Sequence, residues 1–226
     1  MRSPPLDLTQ RESENSKQDK ENIMPTKKVR YTSPVGTFMH PWLDKPSKFD
    51  KKLGDNGRSA PAKPHDFQAE YSVNLIVDKK VFESSDFKKQ IDDVWKLAQE
   101  EYKGKFDVAV APYSVNDDGD YKIIPRSKAA YQKDDGTPQT MQPTLLDCDG
   151  KNVTEFIKNE GIQVASGSIG RVIVTVYQGK PYTAGEKSKH VGKKVLSMKL
   201  DLKVAQFKRL DRYEGNGSDG ANPIDD

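Results

Sequence analysis

The sequence predicts a mainly β domain: a small closed antiparallel barrel with one amphipathic helix, long basic loops and polar ends. Three observations carry this. Several segments alternate apolar and polar residues with period two, the signature of half-buried strands. One segment alone has the longer period of a helix. Gly, Pro and Lys fill the stretches between them, and no strand–helix alternation supports a parallel sheet. For five to seven strands, closure is the economical arrangement because it removes sticky edges.

The elements follow in chain order. Residues 1–26 are rich in Ser, Glu, Asn, Lys and Gln, have little to bury, and are predicted to be disordered. They lack the apolar stretch of a secretory signal, and Met24, ahead of "PTKKVRY", is a candidate internal start. From Val35 a strand puts Phe38, His40 and Trp42 on one face and Val35, Thr37 and Met39 on the other. Residues 43–66, "LDKPSKFDKKLGDNGRSAPAKPHD", read as a long basic loop. In "FQAEYSVNLIVD", Tyr71, Val73, Leu75 and Val77 alternate with Glu70, Ser72 and Asn74.

The helix is "SSDFKKQIDDVWKLAQEEYKG", capped by Ser84 or Ser85 and ended by Gly104. Its apolar stripe runs through Phe87, Ile91, Val94, Trp95, Ala98 and Tyr102, which assigns Trp95 to the core. "NDDGDYKIIP" reads as a turn entering a short strand, and short extended pieces surround Tyr131, Leu145–Leu146 and Ile162–Ala165. Two long strands close the body. In "GRVIVTVYQGK", Val172, Val174 and Val176 oppose Arg171, Ile173, Thr175 and Tyr177. In "VLSMKLDLKVAQF", Leu196, Met198, Leu200, Leu202 and Val204 alternate with polar residues. A Gly/Lys-rich loop carrying Tyr182 joins them, and "YEGNGSDGANPIDD" ends the chain without apolar periodicity. The expected divisions are a disordered extension over 1–26, one domain over 27–210 and a flexible acidic tail over 211–226.

Composition narrows the function. No apolar run approaches the ~18–20 residues of a membrane span. The single cysteine, Cys148, lies between Asp147 and Asp149, excludes an internal disulfide framework and points to a reducing cytosol. Nucleotide-binding, hydrolase and metalloprotease motifs are absent from the sequence, and His40, His65 and His190 lie far apart. Asp117, Asp118 and Asp120 cluster without calcium-loop spacing and fit a hairpin turn better than a metal site. No cofactor is expected, and the chain is not read as an enzyme.

The charge is unevenly placed. Residues 211–226 set one arginine against five acidic residues, whereas residues 27–210 hold 32 cationic and 24 acidic residues, a surplus of +8. A basic body with an acidic tail suits a polyanion partner. Within the body, aromatic and cationic residues interleave: Trp42, Lys45, Lys48 and Phe49; Tyr121, Lys122, Arg126, Lys128 and Tyr131; Arg171, Tyr177, Lys180 and Tyr182; then Lys187, Lys189, Lys193 and Lys194. Cations neutralise phosphates and rings stack on exposed bases, which suits a single strand. A duplex hides its bases and is usually read by a helix, whereas the one helix here is acidic.

The order "GTFMHPWL", a Lys/Pro/Phe loop, "AEYSVNLIVDK" with a following helix, then "IGRVIVTVYQ", a loop and a last long strand resembles a known family. It is that of the single-stranded-DNA-binding proteins of tailed bacteriophages, with an OB fold and an acidic C-terminal tail. The resemblance covers roughly residues 30–226. It implies a five-stranded OB barrel and sequence-independent binding of single-stranded DNA in phage replication, recombination and repair. It further implies help in annealing strands, no catalysis, and a place in the cytoplasm of the infected host. It leaves monomer and dimer both open.

On this reading Lys45, Lys48, Arg126, Lys128, Arg171, Lys180 and Lys199 meet phosphates. Trp42, Tyr121, Tyr131, Tyr177 and Tyr182 stack on bases. The tail, through Asp219, Ile224, Asp225 and Asp226, competes with DNA and contacts replication proteins. Family tails often end in an aromatic, whereas this one ends Pro223-Ile224-Asp225-Asp226, with Ile224 as the smaller apolar anchor. Two other readings stay open at this level: a structural virion or scaffold barrel, and a metal-dependent nuclease using Asp117, Asp118 and Asp120.

Overall fold

The computed structural model describes residues 29–53, 57–185 and 188–213. In chain order its elements are β1 (Arg30–Thr32), β2 (Gly36–Asp50), β3 (Arg58–Pro61), β4 (Glu70–Val77), α1 (Lys79–Glu83), α2 (Asp86–Glu101), β5 (Val108–Val110), β6 (Tyr113–Val115) and β7 (Tyr121–Ile123). Then follow β8 (Arg126–Lys128), β9 (Ala130–Gln132), β10 (Pro138–Thr140), β11 (Thr144–Leu146), α3 (Thr154–Asn159), β12 (Ile169–Gln178), β13 (Tyr182–Thr183) and β14 (Lys194–Arg209).

The segments with clean alternation form strands as their pattern demands. In β4, Tyr71, Val73, Leu75 and Val77 are buried while their neighbours are half-buried. In β14, Leu196, Met198, Leu200, Leu202 and Val204 all point into the core. Helix α2 is capped by Ser85, whose hydroxyl accepts from the Lys88 amide, and it buries Phe87, Ile91, Trp95 and Ala98. Each such large apolar side chain contributes on the order of 1.5–3 kcal/mol when buried.

Strand pairing returns on itself. β2 pairs antiparallel with β4, β4 with β8, and β8 with β14 in parallel through Arg126 and Asp201. β14 pairs antiparallel with β12, and β12 antiparallel with β2. Seven further strands attach to this five-strand circuit to make a twelve-stranded sheet, and β9–β10 form a separate hairpin. The count therefore exceeds the five to seven strands expected. The sheet is not wholly antiparallel either, since β5, β8 and β11 each meet β14 in parallel.

Two other expectations need correction. The single helix is joined by two short ones, α1 and α3; α1 starts at Asp78, whose carboxylate accepts from the Val81 amide at 3.0 Å. Half of the basic "loop" over 43–66 is sheet, because β2 continues to Asp50 and the chain returns as β3 over Arg58–Pro61. Prolines at 41 and 46 hide this in the sequence. Both fall where the β2–β4 register breaks, between Met39 and Trp42 and between Trp42 and Ser47. A strand tolerates proline at such bulges. His40, in the first break, takes φ +47 and is exposed rather than sharing the core with Phe38.

The circuit closes at a tight seam. Gly36 of β2 lies opposite Gly170 of β12. A Cβ on Gly36 would come within 2.2 Å of the Ile76 carbonyl oxygen. One on Gly170 would come within 2.2 Å of the Gln206 carbonyl oxygen and 2.9 Å of Phe38 Cζ. Only glycine lets the backbones of four strands, β2, β4, β12 and β14, approach so closely. No helix among the described residues is long and apolar enough to cross a membrane. Gly170→Ala is expected to lower stability by roughly 1–3 kcal/mol, the usual cost of overpacking. A denaturant midpoint equal to wild type would show that the seam has slack.

Candidate nucleic-acid interface

One open groove, of about 960 Å³, crosses the sheet where β8 meets β14. Its floor is Ser197–Asp201 of β14, and an apolar shelf, residues 108–112 of β5 and the turn after it, forms one side. Tyr177 from the end of β12 and Tyr182, Lys189 and His190 from the β12–β14 connection form the other. Tyr177 is 61% exposed and Tyr182 52% exposed, so both present ring surface. Tyr177 lies directly opposite Lys199 across the β12–β14 ladder, which sets a ring beside an ammonium on one face.

Five cationic side chains line the groove, Lys122, Arg126, Lys128, Lys189 and Lys199, against two carboxylates, Glu70 and Asp201. Glu70 is 2.9 Å from Lys128 and 3.7 Å from Arg126. Asp201 is ion-paired to Lys203 and accepts from the Thr175 hydroxyl at 3.5 Å. Among the described residues, Lys122, Lys189 and Lys199 have no carboxylate within ion-pair distance. The groove thus combines exposed rings, uncommitted ammonium groups and an apolar side.

The structure brings together Arg126, Lys128, Tyr177, Tyr182 and Lys199 from the predicted set. Lys180 is exposed in the turn just before Tyr182. The others are dispersed. Lys45 lines a separate cavity of about 440 Å³ with Tyr71 and Lys158. Lys48 is held by Asp66 at 3.3 Å. Tyr131 is exposed on the β9–β10 hairpin, its hydroxyl donating to Gln139. Arg171 donates through Nε to Gln206 at 2.9 Å and lies six residues, about 20 Å, from Tyr177 along β12.

Two predicted stacking rings are placed differently. Trp42 is only 6% exposed and offers no open ring face, and the bulge before it sets it opposite Ser72, out of phase with Phe38. Tyr121 stacks on Phe82 of α1, with centroids 4.4 Å apart at 26°, and donates to Glu83 at 3.1 Å. Residues 1–26, Lys187 and the tail residues Asp219, Ile224, Asp225 and Asp226 lie outside the described residues.

The sequence reading did not single out the 108–112 shelf, nor Lys122, Lys189 and His190. Lys122 and Lys189 stood in its basic clusters, but β5 spans three residues and is fixed by a parallel pairing to β14 that leaves no local signal. Tyr113, at the edge of the shelf, secures the neighbouring wall. Its hydroxyl donates to Asp92 of α2, which also pairs with Lys88, and its ring meets Phe82 edge-on at 5.1 Å. Burial first, and then the Asp92 hydrogen bond and charge, push this phenol up to about 12.

The fold is that seen in single-stranded-DNA-binding proteins of bacteriophages. Among solved structures, gp2.5, the single-stranded DNA-binding protein encoded by bacteriophage T7, is similar with a TM-score of 0.51 at 19% identity, over 84% of this chain and 91% of that one. The single-stranded DNA-binding protein of bacteriophage Enc34 gives TM-scores of 0.49 as a C-terminal truncation (16% identity, 80% of this chain and 86% of that one) and 0.48 in complex with single-stranded DNA (16%, 82% and 89%). No protein-family model and no curated protein sequence matches the chain.

Tyr113 gives a pH prediction. Its folded value lies above the free phenol value of about 10, so folding favours the protonated form. The stabilisation is complete below pH ~10 and is lost as pH rises through about 12. Melting temperatures measured across this window should fall, and Tyr113→Phe should flatten part of the fall. An unchanged profile in Tyr113→Phe would dissociate this phenol from alkaline unfolding.

Proposed function

We propose that this chain binds single-stranded DNA without sequence preference and without catalysis. The observation that carries the reading is the pairing of exposed Tyr177 and Tyr182 with Lys199, Lys122 and Lys189 in one open groove. Stacking on a ring tolerates every base, and ammonium groups track the phosphates, so the combination favours strands whose bases are free. The apolar shelf of residues 108–112 offers a dry surface against which unstacked bases can rest.

The strand circuit supports the finer reading of the body, residues 27–210, as an elaborated OB barrel. Five strands, four antiparallel contacts and one parallel contact, β8 with β14, are the pairing pattern such a barrel requires. In OB folds nucleic acid crosses the second and third strands between two loops. The groove fits this reading in part, with β8 and Glu70 of β4 on it beside the β14 floor and the β12–β14 connection at one rim.

Likeness in fold to the T7 single-stranded DNA-binding protein supports the single-strand reading. Service in phage replication, recombination and repair inside the infected cell is the role we propose with it. Residues 211–213, expected in the tail, are bonded to the body, the Asp211 amide donating to the Ser168 hydroxyl and the Tyr213 amide to the Gln163 carbonyl. In this reading residues 214–226 act as the acidic tail. Four acidic residues and no cation let it visit the cationic groove while DNA is absent, and leave it exposed to replication partners once DNA is bound.

Fluorescence titration with oligo-dT tests the proposal. Single strands should bind more tightly than duplex of equal length, and log K should fall against log salt with a slope near −3.5 for about five neutralised phosphates. Tyr177→Ala and Tyr182→Ala should each cost about 1–3 kcal/mol. Tighter binding to duplex, or affinity indifferent to salt, overturns the reading. Removal of residues 214–226 should tighten binding at low salt; unchanged affinity there removes the competitor role from the tail.

A further inference from the structure

We propose that Glu70 is a built-in stand-in for a DNA phosphate. It holds Lys128 and Arg126 in the free protein and releases them to the backbone of a bound strand, so that it sets both the strength and the salt response of binding. This rests on the single-strand reading of the groove.

The geometry carries it. Arg126 and Lys128 lie two residues apart on β8 and flank Ser127, which is buried, so both side chains leave the strand on the groove side. Glu70 lies directly opposite Lys128 across the β4–β8 ladder. One carboxylate oxygen is 2.9 Å from the Lys128 ammonium, and the other is 3.7 Å from Arg126 Nη1. A carboxylate bridging a lysine and an arginine presents what a phosphate would present to them: two anionic oxygens within ion-pair distance. Glu70 is the shorter, better-packed partner, with 28% of its side chain exposed, against 54% for Lys128 and 59% for Arg126. The cations can therefore swing outward while the carboxylate stays.

Neighbouring charges do not relieve Glu70 of this task. Asp201 faces Arg126 from β14 but is occupied by Lys203. Lys48 lies beyond Ser47, the β2 residue opposite Glu70, and is occupied by Asp66. Bound DNA has two courses at this point: it takes both cations from Glu70, or it runs past a carboxylate that repels it. Either course makes Glu70 a cost to binding. The groove is thereby strong near Lys199 and weak at β8, and a strand can be lifted off from the weak end.

Glu70→Gln keeps the size and hydrogen bonding of the side chain and removes its charge. Two exposed ion pairs freed in this way should tighten oligo-dT binding at low salt by about 2- to 30-fold. The slope of log K against log salt should steepen by about 0.7 for each additional phosphate neutralised. Lys128→Gln should cost more affinity in the Glu70→Gln background than in wild type, because only there is Lys128 fully available. Circular dichroism melts confirm that each variant is folded. Weaker binding by Glu70→Gln, an unchanged slope, or an equal cost of Lys128→Gln in both backgrounds would make Glu70 a residue that merely orients the two cations, and would overturn the proposal. A wild-type chain that ignores oligo-dT defeats the single-strand reading itself, and this inference with it. Wild-type binding with an indifferent Glu70→Gln defeats only the inference.

Discussion

The architecture depends on the contact between Gly36 and Gly170. At that point β12 reaches β2, and the backbones of β4 and β14 press in from either side, leaving no room for a Cβ on either residue. Without this approach β2 and β12 would not pair with each other, and the five-strand circuit would stay open. With it, the order β2–β4–β8–β14–β12 is forced, and β8 is held against β14 although the two meet through a single residue pair. That forced contact is what sets Arg126 and Lys128 beside the floor that carries Lys199. The groove is thus a consequence of closure. Its residues come from segments more than 70 positions apart in the chain, and no local preference would assemble them.

How much of this could be read in the sequence varied with how local its cause was. β4, β12, β14 and α2 were legible because one face of each is buried, and burial imposes a period. β2 was half legible. Its first residues alternate, but Pro41 and Pro46 sit in register breaks and make a fifteen-residue strand look like a short strand followed by a loop. The parallel contacts of β5, β8 and β11 with β14 were not legible, since nothing in three residues specifies a partner so distant.

Site residues divide along the same line. Tyr177 was identifiable because three valines occupy the opposite face of its strand and leave the ring outside. Trp42 and Tyr121 carry the same local mixture of rings and cations, but their fates are decided by a bulge and by Phe82 respectively. Interleaved aromatic and basic residues therefore included five that meet in or beside one groove, Arg126, Lys128, Tyr177, Tyr182 and Lys199, together with others that the fold disperses. Of the rings that leave the groove, Tyr121 joins Phe82 and Tyr113 in the wall behind it, where the three meet edge-on or stacked.

β14 has one more consequence. It bonds to β12, β8, β5, β11 and β13, so five strands that precede it in the chain wait for it. During synthesis those strands leave the ribosome before their common partner does, and the circuit cannot close until residue 209 has emerged. Closure of the circuit is therefore a late step. Until then the nascent chain exposes unpaired strand edges, and its yield in a cell depends on how quickly the last sixteen-residue strand arrives, or on what shields those edges in the meantime.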